Sequence, residues 1–151
     1  MPPDDMQDNG KPLTLEAART TLSYVWFIGA GILFFVLVIQ SLLGKFDTDT
    51  QQVWSWFVPC VLPTLSLIIS VLGAGALGAG DPRPLRHGFF ALTVGLSAMY
   101  LLVLATTIAV ASFRSPTVAI LSISNSYLSP LQGVVVAAIG FIFISKHALE
   151  K

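Results

Sequence analysis

The sequence predicts an all-α integral membrane protein with four transmembrane helices in an antiparallel bundle. Of its 151 residues, 54% are hydrophobic and only 11% are charged, whereas a soluble domain averages about 25% charged residues. The charged residues are confined to short segments that separate four charge-free stretches. Each stretch is close to the roughly 20 apolar residues that a helix needs to cross a bilayer. We expect spans at about residues 22–43, 53–77, 88–112 and 128–145.

The first span follows directly from a capped helix. Residues 1–13 are rich in Asp, Pro, Asn and Gly and show no apolar period, which predicts a disordered tail. Thr14 is a suitable N-cap, and Glu16 places a negative charge in the first turn, where the helix dipole favours it. The charge-free run Leu22–Leu43 is long enough to cross the bilayer and too long for a cleaved signal peptide.

The second span contains two prolines, Pro59 and Pro63. Because proline has no N–H, the helix carbonyls of Ser55 and Pro59 lose their usual donors. In hydrocarbon these carbonyls need other donors from neighbouring helices, hydroxyl groups or water. We therefore expect a kink or break at this segment, and we expect it to be packed inside the bundle.

One face of the second span carries the residues Pro59, Pro63, Ser66, Ser70 and Gly73 at spacings of four, three, four and three. The serine hydroxyls can bond to carbonyls of the preceding turn or to another helix. Two interpretations stay open. The face is a polar hinge or pore lining, or it is a buried helix contact, which is the commoner use of small and hydroxyl residues in membranes.

Small residues also form stripes in the third and fourth spans. Such residues let two helix backbones approach closely, so both stripes predict helix-packing surfaces. Their members are Gly88, Ala91, Gly95 and Ala98 in the third span, and Gly133, Ala137 and Gly140 in the fourth.

The connection between the third and fourth spans is longer than a turn and mostly uncharged. Ser115 followed by Pro116 is a helix-start signal, which predicts a short helix over residues 117–123 that is interfacial or re-entrant. Ser129 followed by Pro130 repeats the signal and predicts the start of the fourth span. Because that span is short, we expect the residues just before Ser129 to reach membrane depth too.

The polar groups available for chemistry are few. No ionisable side chain lies in the central part of any span, and proton-coupled transporters and pumps need one there. Gln40 and Gln132 are lone amides, which we expect to form hydrogen bonds at the membrane interface. His87 and His147 have no carboxylate or cysteine at metal-ligand spacing. A single cysteine, Cys60, excludes an intrachain disulfide. We therefore expect no catalytic residue, metal or cofactor, and no enzymatic activity.

The glycines at the end of the second span match a nucleotide-binding pattern by spacing alone. Gly73, Gly75 and Gly78 satisfy GxGxxG, but that fingerprint requires a preceding strand in a βαβ unit. Here it closes a membrane helix, where glycine and alanine repeats are common. The net charge of zero also gives no reason to expect a nucleic-acid partner.

The basic residues predict the orientation in the membrane. Six lie on the side of the termini and two on the other, so the positive-inside rule places both termini in the cytoplasm. The expected domain is 14–146, followed by a cytoplasmic tail over 147–151, in a cell membrane and specifically a bacterial inner membrane. The two groups are Lys11, Arg19, Arg83, Arg86, Lys146 and Lys151 against Lys45 and Arg114.

These features predict a small polytopic membrane protein whose partners are the lipid bilayer and either its own copies or another membrane protein. Short loops and several small-residue faces favour a homo-oligomeric component that forms a pore or perturbs the membrane, and a hydroxyl-lined or hydrophobic pore needs no charge. The alternative is a non-conducting anchor or assembly subunit of a larger membrane complex, which would use the same faces.

Overall fold

A computed structural model describes residues 14–76, 87–113 and 116–144 of the chain. The described residues form four long helices, and each is long and apolar enough to cross a membrane. This confirms the predicted fold class. The predicted tails, 1–13 and 147–151, lie outside the described residues. The helices are α1 (Leu15–Leu42), α2 (Thr50–Ala76), α3 (His87–Phe113) and α4 (Thr117–Ile144), with a short 3-10 turn at Asp47–Asp49.

Both ends of α1 are capped. The Thr14 hydroxyl accepts a hydrogen bond from the Ala17 N–H at 3.3 Å, which confirms the predicted N-cap. At the other end Gly44 has φ +67°, and the N–H groups of Gly44 and Lys45 donate to the carbonyls of Ser41 and Gln40 at 3.1 and 3.0 Å. This is a Schellman cap, which needs a left-handed residue and therefore favours glycine.

Helix α4 differs from the sequence prediction. It is one continuous helix over Thr117–Ile144 with Pro130 inside it, so the separate interfacial or re-entrant helix over 117–123 is not formed. A Ser-Pro pair begins a helix only when the serine leaves helical geometry, and Ser129 stays helical here. Helix α2 likewise runs unbroken through Pro59 and Pro63.

The four helices form a square, and their order around it is α1, α2, α4, α3. Helix α1 packs against α2 and α3, and α4 packs against the same two; α1 and α4 also contact each other. The α2 and α3 helices therefore face each other across the centre. Successive helices run antiparallel, as predicted, so the neighbouring pairs α1 with α3 and α2 with α4 run parallel.

Side-chain contacts fix the register between helices and define two ends of the bundle. The Ser112 hydroxyl of α3 donates to Gln40 Oε1 of α1 at 2.7 Å, at the end that holds the α1–α2 turn, which we call the loop end. Arg19 Nη2 of α1 donates to the Ile142 carbonyl of α4 at 3.3 Å, at the opposite end, which we call the terminus end. A cation there is favourable because the C-terminus of α4 carries the negative end of its dipole.

The bundle core is built from large side chains of all four helices. Trp26, Tyr100, Ile68 and Ile139 are completely buried, and the rings of Trp26 and Tyr100 lie 5.8 Å apart. The outer face of α1 is covered with exposed large hydrophobic side chains, which suit contact with acyl chains. They are Tyr24, Phe27, Ile28, Ile32, Phe34, Phe35, Ile39 and Leu42.

Helices α1 and α3 are in contact at Gly29, a contact that the sequence analysis did not single out. A Cβ atom on Gly29 would lie 2.6 Å from Leu101 Cδ1, whereas a Cβ on Gly31 would meet no atom within 4 Å. A side chain at Gly29 would therefore disturb the packing of α1 on α3, whereas a side chain at Gly31 would not.

Replacing Gly29 with leucine should lower the free energy of unfolding in micelles by about 1–3 kcal/mol, because the side chain must displace Leu101 and separate the helices. The matched control Gly31→Leu should change it by less than about 0.5 kcal/mol. Equal effects of the two substitutions would contradict the register of α1 on α3.

Candidate functional site

Two carbonyl groups in the middle of α2 accept hydrogen bonds from other helices. Gln132 Nε2 of α4 donates to the carbonyl of Pro59 at 3.0 Å and to that of Cys60 at 3.2 Å. The Pro59 carbonyl is the group that loses its donor because Pro63 has no N–H. The prediction that a neighbouring helix replaces the lost donor is confirmed at Pro59.

A third helix reaches the same place. The Tyr100 hydroxyl of α3 donates to the Cys60 carbonyl at 2.8 Å, and Tyr100 is completely buried. An interior position suits a tyrosine in the middle of a membrane-spanning helix, because its hydroxyl needs a partner. The carbonyls of Pro59 and Cys60 thus join α2, α3 and α4 through two side chains, and we call this set of hydrogen bonds the proline-carbonyl junction.

The junction lies near the middle of α3 and α4, and this corrects the placement of Gln132. The hydroxyls of Thr107 in α3 and Tyr127 in α4 lie 3.5 Å apart, which places Gln132 level with Leu102 of α3. The prediction of an interfacial amide was wrong because it started the fourth span at residue 128, whereas α4 begins at Thr117. Gln40, by contrast, does lie near the end of α1.

The predicted polar stripe of α2 lies on the outside of the bundle. The inward face of α2 consists instead of buried residues that include Trp56, Cys60, Thr64 and Ile68. The expectation that the proline segment packs inside the bundle is wrong for Pro59 and Pro63, which are exposed; it holds for Cys60 and Thr64 on the opposite side of the helix. A pore lined by the stripe would have to lie between chains and not within one bundle. Its exposed members are Pro59, Pro63, Ser66, Ser70 and Gly73.

The hydroxyl of Ser70 is already satisfied within its own helix. It donates to the Ser66 carbonyl at 2.7 Å, which is the back-bonding predicted for this stripe. A serine bonded in this way can face an apolar surface at small cost, because its donor is not left unpaired. The stripe is therefore compatible with lipid as well as with a second protein surface.

The small-residue stripes of α3 and α4 also point outwards, with one exception. A Cβ atom on Gly88, Gly95 or Gly133 would meet no atom within 4 Å, and only Gly140 among the predicted residues is buried. Packing within the chain does not use the outward members, so a packing role for them requires another chain. The exposed residues are Gly88, Ala91, Gly95, Ala98, Gly133 and Ala137.

A polar outward face on α4 is a feature that the sequence analysis missed. Ser122, Asn125, Ser126 and Ser129 are all exposed and recur at spacings of three and four, so they share one side of the helix. We call them the α4 polar face. Within the described part of the chain, the Asn125 amide forms no hydrogen bond.

The α4 polar face lies level with the first charge-free run. The pairing of Gln40 with Ser112 and the approach of Gly29 to Leu101 give the register of α1 on α3. Together with the contact between Thr107 and Tyr127, this register places Asn125 level with Leu37. That position is six residues before the end of the first charge-free run at Leu43, or about 9 Å inside it. An unpaired amide facing acyl chains at this depth is costly.

The pattern of Ser122, Asn125, Ser126 and Ser129 was present in the sequence. It was overlooked because two Ser-Pro pairs suggested that these residues form a connection outside the span. Once α4 is continuous, the same residues become one face of a membrane-spanning helix.

The described residues offer little for catalysis. They contain no group of three His, Cys, Asp or Glu side chains able to hold a metal ion. His87 begins α3, and Cys60 is buried as a free thiol. His147 and most of the glycine-rich segment after Ala76 lie outside the described residues.

Comparison of the chain with protein-family models, curated proteins and solved structures finds no match. The functional assignment therefore depends on two features of the bundle. These are the proline-carbonyl junction, which joins three helices, and the α4 polar face on the outside.

Replacing Gln132 with leucine should lower the free energy of unfolding by about 1–3 kcal/mol, because it leaves the Pro59 carbonyl without a donor at a surface where lipid offers none. The variant Pro63→Ala restores the backbone N–H to that carbonyl. In this background, replacing Gln132 with leucine should lower the free energy of unfolding by a smaller amount. A double-mutant cycle of unfolding in micelles measures the difference. An identical cost in both backgrounds would show that Gln132 does not compensate for Pro63.

Proposed function

We propose that the chain is a homo-oligomeric membrane component that forms a pore-like assembly or perturbs the bilayer, without proton coupling and without enzymatic activity. The observation that carries this proposal is the α4 polar face. Its Asn125 amide lies at membrane depth and is exposed on the outside of a single bundle, where neither lipid nor the described part of the same chain supplies a hydrogen bond.

A second copy of the chain would satisfy this face. An asparagine amide is both donor and acceptor, so Asn125 can pair with the same residue of another copy across a two-fold axis, which requires a self-complementary surface. Hydroxyl and amide side chains of this kind join helices in membranes.

The distribution of side chains around the bundle favours the same arrangement. Helices α1 and α4 occupy opposite corners of the square, and α1 presents large apolar side chains such as Phe35 and Ile39 to the outside. With α1 in contact with lipid, α4 and the flanking small-residue faces of α2 and α3 are directed towards other copies.

A conducting path in such an assembly would run between copies, along the outward stripe that includes Pro63, Ser66 and Ser70. Small and hydroxyl side chains can line a neutral pore. The proposed setting is a cell membrane with both termini in the cytoplasm, as the positive-inside rule predicts.

The competing proposal is a non-conducting anchor or assembly subunit of a larger membrane complex. In that case the α4 polar face would bind a different membrane protein, and purified chains would stay monomeric and leave the bilayer tight. The oligomeric state and the permeability of proteoliposomes therefore separate the two proposals.

Replacing Asn125 with leucine should weaken self-association by about 1–2 kcal/mol, because it removes a hydrogen bond between helices in the membrane. Single-molecule photobleaching in liposomes, over a range of protein densities, measures the equilibrium. The control Thr106→Val removes an exposed hydroxyl that already donates to the Leu102 carbonyl at 2.8 Å, and it should have no effect. A wild-type chain that is monomeric at all densities would overturn the proposal.

Replacing Ser66 or Ser70 with leucine should change the rate at which proteoliposomes release small ions or dyes, with little loss of folded protein. The reason is that both side chains are exposed in the bundle and would line the space between copies. The control Gly31→Leu adds the same bulk to α1. Tight liposomes at high density of wild-type protein would favour the anchor or subunit proposal.

A further inference from the structure

Three polar side chains in the bundle core have no hydrogen-bond partner among the described residues. They are the indole Nε1 of Trp26, the hydroxyl of Thr64 and the hydroxyl of Ser97, and all three residues are 0% exposed. Leaving a buried polar group unpaired is unfavourable, so each such group in a folded protein calls for an explanation.

The two hydroxyls do not use the partner that is nearest to them. Serine and threonine in a helix commonly donate to the carbonyl four residues earlier, as Thr93 and Thr107 of α3 do, each at 2.9 Å. Thr64 and Ser97 form no such bond. Their hydroxyls are therefore free to bond to a group that lies between the helices.

Thr64 and Ser97 lie at the same level of the bundle. The bond from Tyr100 to the Cys60 carbonyl, at 2.8 Å, joins α3 to α2 across the centre. Ser97 is one turn before Tyr100 and Thr64 is one turn after Cys60. Since α2 and α3 run antiparallel, both steps lead towards the terminus end.

Trp26 of α1 reaches this level as well. Its ring centroid lies 5.8 Å from that of Tyr100. The register given by Gly29 with Leu101, and by Gln40 with Ser112, places Trp26 level with Ala98. Three unpaired polar groups from three helices thus lie at about the same level, one turn from the proline-carbonyl junction.

We propose that these three side chains form an internal binding site for water within each bundle. The indole can only donate, so the ligand must offer an acceptor, whereas the two hydroxyls can donate or accept. Water supplies both functions, and a buried water typically makes about three hydrogen bonds to protein groups that would otherwise be unsatisfied. The site is enclosed by one chain, so it does not depend on the proposed oligomer.

Water bound at this site is directly observable by NMR in nanodiscs. The indole Nε1–H of Trp26, identified by its loss in Trp26→Phe, should show cross-relaxation with long-lived water. That signal should disappear in the double variant Thr64→Val/Ser97→Ala. The indole of Trp56, which donates to the Ser124 hydroxyl at 2.9 Å, is the buried internal reference. Absence of the Trp26 signal in the wild-type protein would overturn the proposal.

The sign of the stability change provides a second test. If water bridges the groups, Thr64→Val and Ser97→Ala should each raise the equilibrium constant of unfolding roughly three- to tenfold, because each removes a hydrogen bond to that water. Their effects should also be less than additive. If the groups are dry and unpaired, each substitution should stabilise the bundle, and that result would overturn the proposal. Thr106→Val, whose hydroxyl is exposed and bonded, is the matched control.

Discussion

The carbonyl groups of Pro59 and Cys60 set the constraint on which the rest of the bundle depends. A proline in a membrane helix leaves a backbone carbonyl unpaired in a medium that offers no hydrogen bonds. The chain supplies Gln132 of α4 to the Pro59 carbonyl, and Tyr100 of α3 donates to the neighbouring Cys60 carbonyl. These two bonds join α4 and α3 to the same turn of α2, so the N–H that Pro63 lacks is replaced at the point where three helices meet.

This arrangement also determines what is left outside. Because α2 turns Cys60 and Thr64 inwards, its prolines and serines face outwards. On α4, Asn125 lies two turns before Gln132 on nearly the same side of the helix, and it is exposed. The inner surface is therefore joined by hydrogen bonds within one chain, and the outer surface carries small and polar groups that suit association with further copies.

Much of the fold, but little of the site, was accessible from the sequence. Four spans follow from the charge-free runs, and the cap at Thr14 follows from its chemistry. The sequence does not predict whether each stripe faces lipid or another helix. Lipid is as apolar as a helix interface, and small residues suit both. The continuity of α4 through Pro130 does not follow either, because each Ser-Pro pair equally predicts a helix start, and it changed the position of both Gln132 and Asn125 along the helix.

The bond between Gln132 and Pro59 is open to direct measurement by solid-state NMR in lipid bilayers. A protein labelled with ¹⁵N at glutamine side-chain amides and ¹³C at proline carbonyls should show dipolar dephasing between the two labels. That dephasing should be lost in Gln132→Leu, whereas Gln40→Leu should retain it, because Gln40 bonds to Ser112 instead. Equal signals in the wild-type protein and in Gln132→Leu would contradict the proline-carbonyl junction.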